Sequence, residues 1–304
     1  MISLDIITWF DPWGSRLCTC PRKYSFSPYT GCSHACTYCY ISAYIPHPFQ
    51  LRPKRNLIQR LLRDLVRLNP NFHISIANSS DPYPPEERKF LLTRESLKAI
   101  LNHGFRVQLI TKSDLITRDI DLIKHGNCSV SFTITTLDDK VAERLEPRAP
   151  PPSRRLEALR KLANAGIPCS VRIDPLIPYI NTYNLEELVR KVADAGAKHI
   201  VASTYKAKGD SFKRVVRAFP EWEEKLRKLY WITGEIHGRA RYLEESFRYK
   251  LLADLKEVVD RFGMTYATCR EGFESLKTGV TCDGSHLIPE RLRLRSLEGE
   301  IPES

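Results

Sequence analysis

Residues 31–40 read GCSHACTYCY and place three cysteines, Cys32, Cys36 and Cys39, in one short segment. In a reducing compartment, clustered cysteines are more often metal ligands or catalytic groups than disulfides. Four-iron clusters bind cysteine thiolates, usually four of them. A segment with three thiolates holds three irons and leaves the fourth open to a small molecule, much as catalytic metal sites keep one position open. The alternatives are a structural zinc completed by a distant residue and a cluster with a redox role only.

The sequence around this segment alternates between strand-like and helix-like stretches. Apolar residues recur every three to four positions in four stretches, which predicts helices over 56–68, 93–104, 153–166 and 184–196. Runs rich in β-branched residues predict strands over 23–28, 72–78, 105–113, 128–136, 167–178 and 197–205. This alternation predicts an α/β fold of parallel strands, built as a barrel or an open wound sheet. Because the cysteines follow the first strand, they should lie at the carboxyl ends of the strands, where such folds place active sites.

The composition is that of a folded, soluble protein with an excess of positive charge. Of 304 residues, 42% are hydrophobic and 27% are charged, and no apolar run approaches the ~20 residues that span a bilayer. The N-terminus, MISLDIITWFDPWG, lacks a basic leader, so we expect a cytoplasmic protein with no secretory signal and no membrane contact. The 47 lysines and arginines exceed the 36 acidic residues by 11, which favours a nucleic-acid partner, although ion-paired surfaces give the same excess.

The spacing C-x3-C-x2-C with a following aromatic residue resembles the cluster motif of radical S-adenosylmethionine (SAM) enzymes. The resemblance implies that Cys32, Cys36 and Cys39 hold a 4Fe–4S cluster whose open iron binds the amino and carboxylate groups of SAM. It further implies that an electron from the cluster cleaves SAM to a 5′-deoxyadenosyl radical, which abstracts a hydrogen atom from the substrate. The implied fold is a partial (β/α)6 TIM-like barrel, and the implied electron donor is of the ferredoxin or flavodoxin type.

Under this resemblance, polar residues at the ends of later strands are candidates for SAM binding. The superfamily holds the SAM amino group with a motif after its second strand, and that place here reads IANSSDPYPPEER rather than the common Gly-Gly-Glu form. The third strand ends in LITKS, whose lysine suits the SAM carboxylate. The fifth strand carries an arginine and an aspartate on one face, where buried charges must be paired or functional. The cofactor-binding candidates are Ser79, Ser80, Asp81, Lys112, Ser113, Arg172 and Asp174.

Four longer segments, SPYTGCSHACTYCY, SSDPYPPEER, LLTRESLKAIL and RIDPLIPYIN, resemble the spore photoproduct lyase-like, DNA repair photolyase-related branch over roughly residues 24–205. That branch implies catalytic roles for Tyr38 and Tyr40 as hydrogen-atom relays, although aromatic residues there also shield a cluster from water. True spore photoproduct lyases need a further cysteine donor. This chain has no cysteine between Cys39 and Cys128, which argues against thymine-dimer reversal itself.

We therefore expect a nucleic-acid substrate, either a damaged DNA base or an RNA nucleoside. In one alternative, the protein is also a radical SAM enzyme, but its substrate is a peptide or small metabolite and it carries an auxiliary iron–sulfur cluster. The other alternative is a non-catalytic iron–sulfur or zinc protein.

Four further cysteines lie towards the two ends of the chain. Cys18 and Cys20 form a CxC ahead of the first strand, and Cys269 and Cys282 lie in the last part of the sequence. If the two ends meet at the barrel mouth, these thiols form a second site for an iron–sulfur cluster or zinc; otherwise they are unrelated reduced cysteines. Residues 282–286 read CDGSH, which resembles the iron–sulfur motif of that name and makes His286 a candidate ligand. That motif's CxC is absent nearby, so a full domain of its type is not expected.

The chain divides into three predicted parts: an N-terminal segment over 1–22, a (β/α) core over 23–206 and a helical, cysteine-bearing extension over 207–304 packed on the core. The extension is predicted to contain long helices over 212–230 and 239–262, in which basic residues are interleaved with aromatic ones. This pattern suits recognition of single-stranded or flipped bases, and it equally suits amphipathic helices with aromatic core faces.

Overall fold

The structure, a computed structural model, describes residues 4–11 and 15–290 of the chain. Eight strands of this part form one sheet, and four more form two antiparallel pairs, β3 with β4 and β10 with β11. The strands are β1 (Thr8–Trp9), β2 (Tyr24–Phe26), β3 (Tyr29–Thr30), β4 (Arg52–Pro53), β5 (Ile74–Ile76), β6 (Val107–Thr111), β7 (Cys128–Thr133), β8 (Cys169–Leu176), β9 (His199–Thr204), β10 (Glu235–His237), β11 (Ala240–Tyr242) and β12 (Thr265–Thr268).

α-Helices connect the strands and cover the sheet. They are α1 (Leu57–Leu65), α2 (Glu87–Phe90), α3 (Leu92–Asn102), α4 (Ile120–His125), α5 (Asp139–Leu145), α6 (Pro152–Asn164), α7 (Leu185–Asp194), α8 (Gly209–Ala218), α9 (Glu223–Arg227) and α10 (Glu245–Arg261). In α1, Leu57, Leu61 and Leu65 recur at one-turn intervals and are all buried, which is the amphipathic pattern of a helix packed on a core. No helix in the described ranges is both long and apolar enough to cross a bilayer.

Six parallel strands in chain order make the centre of the sheet. The order across the sheet is β1-β2-β5-β6-β7-β8-β9-β12, and all neighbours from β2 to β9 are parallel. Each of these strands reaches the next through at least one helix, as parallel neighbours require. The predicted partial (β/α)6 barrel is confirmed. Antiparallel β1 and parallel β12 form the two edges, so the sheet stays open.

The main core lies between the sheet and the helices that cover it. Strands β7 and β9 are buried along their whole length, as expected for parallel strands covered on both faces. Val130 of β7 and Ile200 of β9 pack in one cluster with residues of the neighbouring strands and helices, including Ile74, Val107, Leu61 and Leu97. Full burial of each such side chain stabilises the fold by about 1.5–3 kcal/mol. The strand ends, and the loops that follow them, are therefore held on a rigid base.

The extension after residue 206 differs from the predicted pair of long helices. The first helix, α8, stops two residues before Pro220, which cannot continue a helix. The second prediction, a helix over 239–262, was wrong before Glu245, because β11 lies there and pairs with β10 in a hairpin. Gly238 turns this hairpin at φ +61, and the alternate positions Ala240 and Tyr242 are buried. The extension also contributes β12 to the main sheet. The division of the chain into three parts stays a prediction.

Candidate active site

A cavity of about 540 Å³ opens at the carboxyl ends of the parallel strands. Residues at or just after the ends of β5, β6, β8, β9 and β12 line it, together with the loop that follows β3. That loop carries Cys32, Cys36 and Cys39, and all three cysteines are part of the lining. Loops after parallel strands converge at one edge of an α/β sheet, so this is where such folds bind ligands.

Backbone contacts hold the loop that carries the three cysteines. Gly31 has φ +76, and a Cβ at this position would lie 2.4 Å from the carbonyl oxygen of Gln50, so the loop requires glycine here. The Cys32 amide donates to the carbonyl of Pro48 at 2.8 Å. These contacts fix the start of the loop against the segment that leads into β4.

Helix α8 of the extension fixes the end of the same loop. The Arg214 guanidinium donates to the carbonyl oxygens of Thr37 at 3.1 Å and Cys39 at 2.7 Å. It also donates to the hydroxyl of Ser42 at 2.9 Å. The extension is therefore part of the support for the cysteine loop and not an appendage of the core.

Three cysteine thiols in one loop are a donor set that suits an iron–sulfur cluster. In the part of the chain that the structure describes, no group of three or more His, Cys, Asp or Glu side chains surrounds one ion position, these cysteines included. A tetrahedral ion needs sulfur ligands at about 2.3 Å, whereas a four-iron cluster takes one thiolate per iron and spaces the thiolates more widely. Burial raises the pKa of the Cys36 thiol and raises that of Cys39 to about 11, so metal binding would release protons.

His34 belongs to the cysteine loop, was not among the predicted site residues, and faces the loop after β5. The side chain is 1% exposed, and its Nδ1 lies 3.5 Å from a carboxylate oxygen of Asp81. Burial opposes protonation, but Asp81 and the Cys32 sulfur together raise the pKa of His34 to about 10. A buried imidazolium thus separates one thiol of the trio from a carboxylate. The available signal was its position inside the cysteine motif.

The carboxylate of Asp81 is held by several donors of the protein. It accepts hydrogen bonds from the Thr111 hydroxyl at 2.6 Å, the Lys112 amide at 2.7 Å and the Tyr83 amide at 2.9 Å. Burial alone would raise the pKa of Asp81, but His34 and these donors lower it to about 2. Asp81 therefore joins the loop after β5 to the end of β6. Its contact with SAM stays a prediction.

The three predicted serines lie in different settings. Ser79 and Ser80 both line the cavity, and the Ser80 hydroxyl donates to the carbonyl of Tyr29 at 3.0 Å. Ser113 is not part of the lining. Its hydroxyl accepts from the Leu115 amide at 3.3 Å and caps the 3-10 helix that follows β6. Ser113 would contact a cofactor only if its hydrogen bond with the Leu115 amide were broken.

The two predicted catalytic tyrosines line the cavity and bond to different elements. The Tyr38 hydroxyl donates to the carboxylate of Glu146, which is also paired with Arg155. The Tyr40 hydroxyl donates to the carbonyl of Asn78 at 2.5 Å. Burial raises the pKa of both phenols well above the ordinary value, so both keep their protons. Their roles as hydrogen-atom relays stay predictions.

Three predicted charged residues also line the cavity. The Lys112 ammonium lies 5.7 Å from the ring centre of Tyr38, and within the described chain it forms no hydrogen bond or salt bridge. Arg172, by contrast, donates to the Asp174 carboxylate at 2.7 Å, so these two charges satisfy each other. The arrangement leaves Lys112 available to an anionic ligand.

The fold also brings together the cysteines from the two ends of the described chain. The sulfurs of Cys20 and Cys282 are 3.4 Å apart, although 262 positions separate them in the sequence. Cys20 and Cys269 both line the cavity. His286 packs its ring against that of His199, with ring centres 5.1 Å apart.

Several lining residues were missed because no local pattern marks them. Trp9 and Tyr44 line the cavity and keep 43% and 45% of their surface exposed. Lys206, at the end of β9, pairs with buried Glu271 at 2.8 Å. These residues are brought together by the pairing of strands that are distant in the sequence. The sequence around a single loop residue does not predict such pairing.

Comparisons with known proteins agree with this geometry. A family model described as the Radical SAM superfamily matches residues 26–192. An uncharacterized protein of Mycobacterium tuberculosis is 26% identical over 266 residues, covering 80% of this chain and 75% of its own length. A protein of Pseudomonas phage M6, described as a radical SAM Nalpha-GlyT isomerase, is 24% identical over 281 residues, covering 86% of this chain and 56% of its own length.

Among solved structures, a spore photoproduct lyase mutant with bound AdoMet and dinucleoside spore photoproduct shares the fold. The TM-score is 0.59, and the alignment covers 84% of this chain and 77% of that chain. The sequences are 18% identical over this alignment, so the likeness concerns the fold.

Proposed function

The chain belongs to the radical SAM superfamily, and from this premise we propose that it is an enzyme that modifies a base or nucleoside of a nucleic acid. Cys32, Cys36 and Cys39 would hold the 4Fe–4S cluster. When bound, this cluster supplies the electron that cleaves SAM to a 5′-deoxyadenosyl radical. The observation that carries the proposal is the cavity itself, whose lining combines the three thiols, the Lys112 ammonium and exposed aromatic rings.

In this proposal, residues after β5 and β6 bind the amino-acid end of SAM. The Lys112 ammonium, which no acid of the described chain pairs, would bind the SAM carboxylate through a charge-assisted hydrogen bond. Ser79, which lines the cavity beside it, would accept from the SAM amino group. Asp81 and the Arg172–Asp174 pair would act by holding the wall in place, since their charges are engaged with protein partners.

Exposed aromatic residues support a base as the substrate. Trp9 and Tyr44 are 43% and 45% exposed and line the cavity. The Trp9 ring also packs against Tyr24 and Tyr44 stacks on Tyr40, so a base would stack on the part of each ring that stays exposed. Stacking of one base on an aromatic side chain contributes about 1–3 kcal/mol and tolerates any base. The net charge of +11 favours attraction of a phosphate backbone.

A relative supports the same substrate class. A dinucleoside is bound in the structure of the spore photoproduct lyase mutant, which shares the fold of this chain. We infer a similar class of ligand for the cavity described here, delivered as an unstacked or single-stranded nucleotide. The cytoplasmic location and the ferredoxin- or flavodoxin-type electron donor remain parts of this proposal.

The proposal predicts SAM cleavage together with salt-dependent binding of nucleic acid. Protein reconstituted with iron and sulfide under anaerobic conditions should release 5′-deoxyadenosine from SAM when given a strong reductant. The Cys36→Ala variant should release none. In fluorescence anisotropy, binding of single-stranded oligonucleotides should weaken linearly on a logarithmic scale as salt increases.

Two exposed tyrosines provide a matched test of base stacking. Tyr44→Ala should weaken oligonucleotide binding by about 5- to 150-fold, the equivalent of one lost stacking contact. Tyr183 is 44% exposed but lies outside the cavity lining, so Tyr183→Ala should leave binding unchanged. Release of 5′-deoxyadenosine without salt-dependent oligonucleotide binding would overturn the nucleic-acid substrate and favour a peptide or small metabolite.

A further inference from the structure

Four cysteines outside the trio meet where the segment before β2 packs against the segments after β12. The thiols of Cys20 and Cys282 are in contact, with their sulfurs 3.4 Å apart, and the Cys18 thiol contacts that of Cys20. Cys269, directly after β12, is close enough to act electrostatically on Cys18 and Cys282 and to be acted on by Cys20. Four thiols from three separate segments thus occupy one location.

This location differs from that of an ordinary buried cysteine. Cys128 and Cys169 lie in β7 and β8, and burial is the one cause that raises the pKa of each thiol to about 12. Cys20 is the opposite case, because its sulfur lies 3.4 Å from that of Cys282 and is also in contact with the Cys18 thiol. Thiols from separate segments that meet in this way are placed to bind one metal centre together.

Two cations lie beside these thiols. Lys23 is 2% exposed, pairs with Asp283, and lies close enough to Cys20 and Cys282 to interact with both. Arg172 contacts Cys269 on the side that faces the cavity. Burial of a lysine is costly unless anions surround it, and four metal-bound thiolates with Asp283 would supply that negative charge.

The number and type of these ligands fit an iron–sulfur cluster. In the described residues, no group of three or more His, Cys, Asp or Glu side chains is arranged to hold a single metal ion. Four cysteine ligands are the usual set for an iron–sulfur cluster of either two or four irons. We propose that Cys18, Cys20, Cys269 and Cys282 bind a second iron–sulfur cluster in the wall of the cavity. This site goes beyond the proposed function and does not depend on the nucleic-acid substrate.

The position of this cluster has two consequences for the protein. Cys20 and Cys269 line the same cavity as the trio, so the second cluster would lie beside the substrate space. Its four ligands are complete without a small molecule, in contrast to the three of the trio. It would also cross-link the segment before β2 to the segments after β12, which are otherwise joined here by the Lys23–Asp283 pair.

Iron analysis of full-length variants, reconstituted anaerobically with iron and sulfide, tests this site. The triple variant Cys32→Ala/Cys36→Ala/Cys39→Ala should retain about two or four irons per chain. Its reduced cluster should give an electron paramagnetic resonance signal that SAM does not change. The double variant Cys18→Ala/Cys20→Ala should lose that iron and keep a signal that SAM does change.

Controls separate this proposal from misfolding and from failure of the proposed function. Cys128→Ala/Cys169→Ala removes two buried cysteines outside both groups and should keep the full iron content. The triple variant lacks the trio, so iron retained there supports the second cluster whether or not the chain cleaves SAM. Loss of all iron from the triple variant would overturn the proposal. Zinc bound in place of iron, or a disulfide between Cys20 and Cys282 in the anaerobic protein, would overturn it equally.

Discussion

Lys112 is the side chain on which the proposed SAM position depends most directly. Burial lowers the pKa of this lysine, but the negative charges of Cys36, Glu146 and Asp81 raise it above the ordinary value, so the ammonium stays charged. These groups lie beyond hydrogen-bonding distance of the ammonium, and within the described chain no acidic side chain forms a salt bridge with it. A charged group in such a position gains a full hydrogen bond when an anion binds.

Replacing Lys112 should therefore weaken SAM binding without loss of the cluster. Lys112→Gln keeps a polar side chain, one atom shorter, and removes the charge, which costs about 1.5–3 kcal/mol for a hydrogen bond to a charged group. The dissociation constant for SAM, measured by anaerobic calorimetry, should rise about 10- to 100-fold, while iron content stays the same. Lys140 lies on the exposed surface of α5, and Lys140→Gln should change neither quantity. Equal affinity of Lys112→Gln and the parent protein would contradict this role.

At the scale of elements, α10 holds the C-terminal segment against the sheet through a buried arginine. Arg248 is 1% exposed and donates to the Glu271 carboxylate at 3.0 Å and to the carbonyl of Leu243 at 2.8 Å. Glu271 in turn accepts from the Thr204 amide at 2.7 Å and from Lys206 at 2.8 Å. This network joins α10, the end of β9 and the segment after β12 that carries Cys269.

Removing Arg248 should destabilise the whole fold. Arg248→Gln leaves Glu271 buried with Lys206 as its remaining cation, so we expect a loss of about 3 kcal/mol, the lower end of the range for a broken buried pair. Guanidinium denaturation measures this change in the free energy of unfolding. Arg261 is at the end of the same helix and pairs with Glu186 in solvent, both being more than half exposed. Arg261→Gln should cost little, and equal losses for the two variants would refute a role for the buried network.

At the scale of the whole molecule, the sequence predicts features that repeat locally and misses those that depend on distant contacts. Helices predicted at 56–68 and 184–196 are found at Leu57–Leu65 and Leu185–Asp194, because apolar periodicity is a local property. Strand β11 lies within the predicted helix 239–262, since its basic and aromatic residues fit either periodicity. The addition of β12 to the sheet was missed because four residues give too short a pattern.

The same distinction between local and long-range features applies to the candidate site. Cys32, Cys36 and Cys39 lie in one short segment, so their spacing alone shows the resemblance to the radical SAM cluster motif. The contact between Cys20 and Cys282 depends on packing between segments that are 262 positions apart, so from the sequence it could be stated only as a condition, that the two ends meet. No spacing rule predicts that Asp283, within the CDGSH string, pairs with Lys23.

Two buried histidines link the stability of the whole fold to pH. His73 is 5% exposed and His199 is fully buried, and burial is the main cause that lowers the pKa of each from 6.5 to about 4. Around His73, Lys23 and Arg106 lower the pKa further, and Asp283 opposes them. Between pH 6.5 and 4 the folded protein keeps these imidazoles neutral, whereas the unfolded chain binds a proton at each. Acid therefore favours the unfolded state.

The free energy of unfolding should fall as the pH is lowered from 6.5 towards 4, by up to about 1.4 kcal/mol per pH unit for each of the two histidines. The contribution of the two histidines should level off below pH 4, where the folded protein also takes up their protons. His73→Gln removes one of these titrations, so urea denaturation at several pH values should give a shallower dependence than in the parent protein. His125, on the exposed end of α4, provides the control, and His125→Gln should keep the parental slope. If His73→Gln and the parent protein lose stability in parallel over this range, His73 does not remain neutral in the fold.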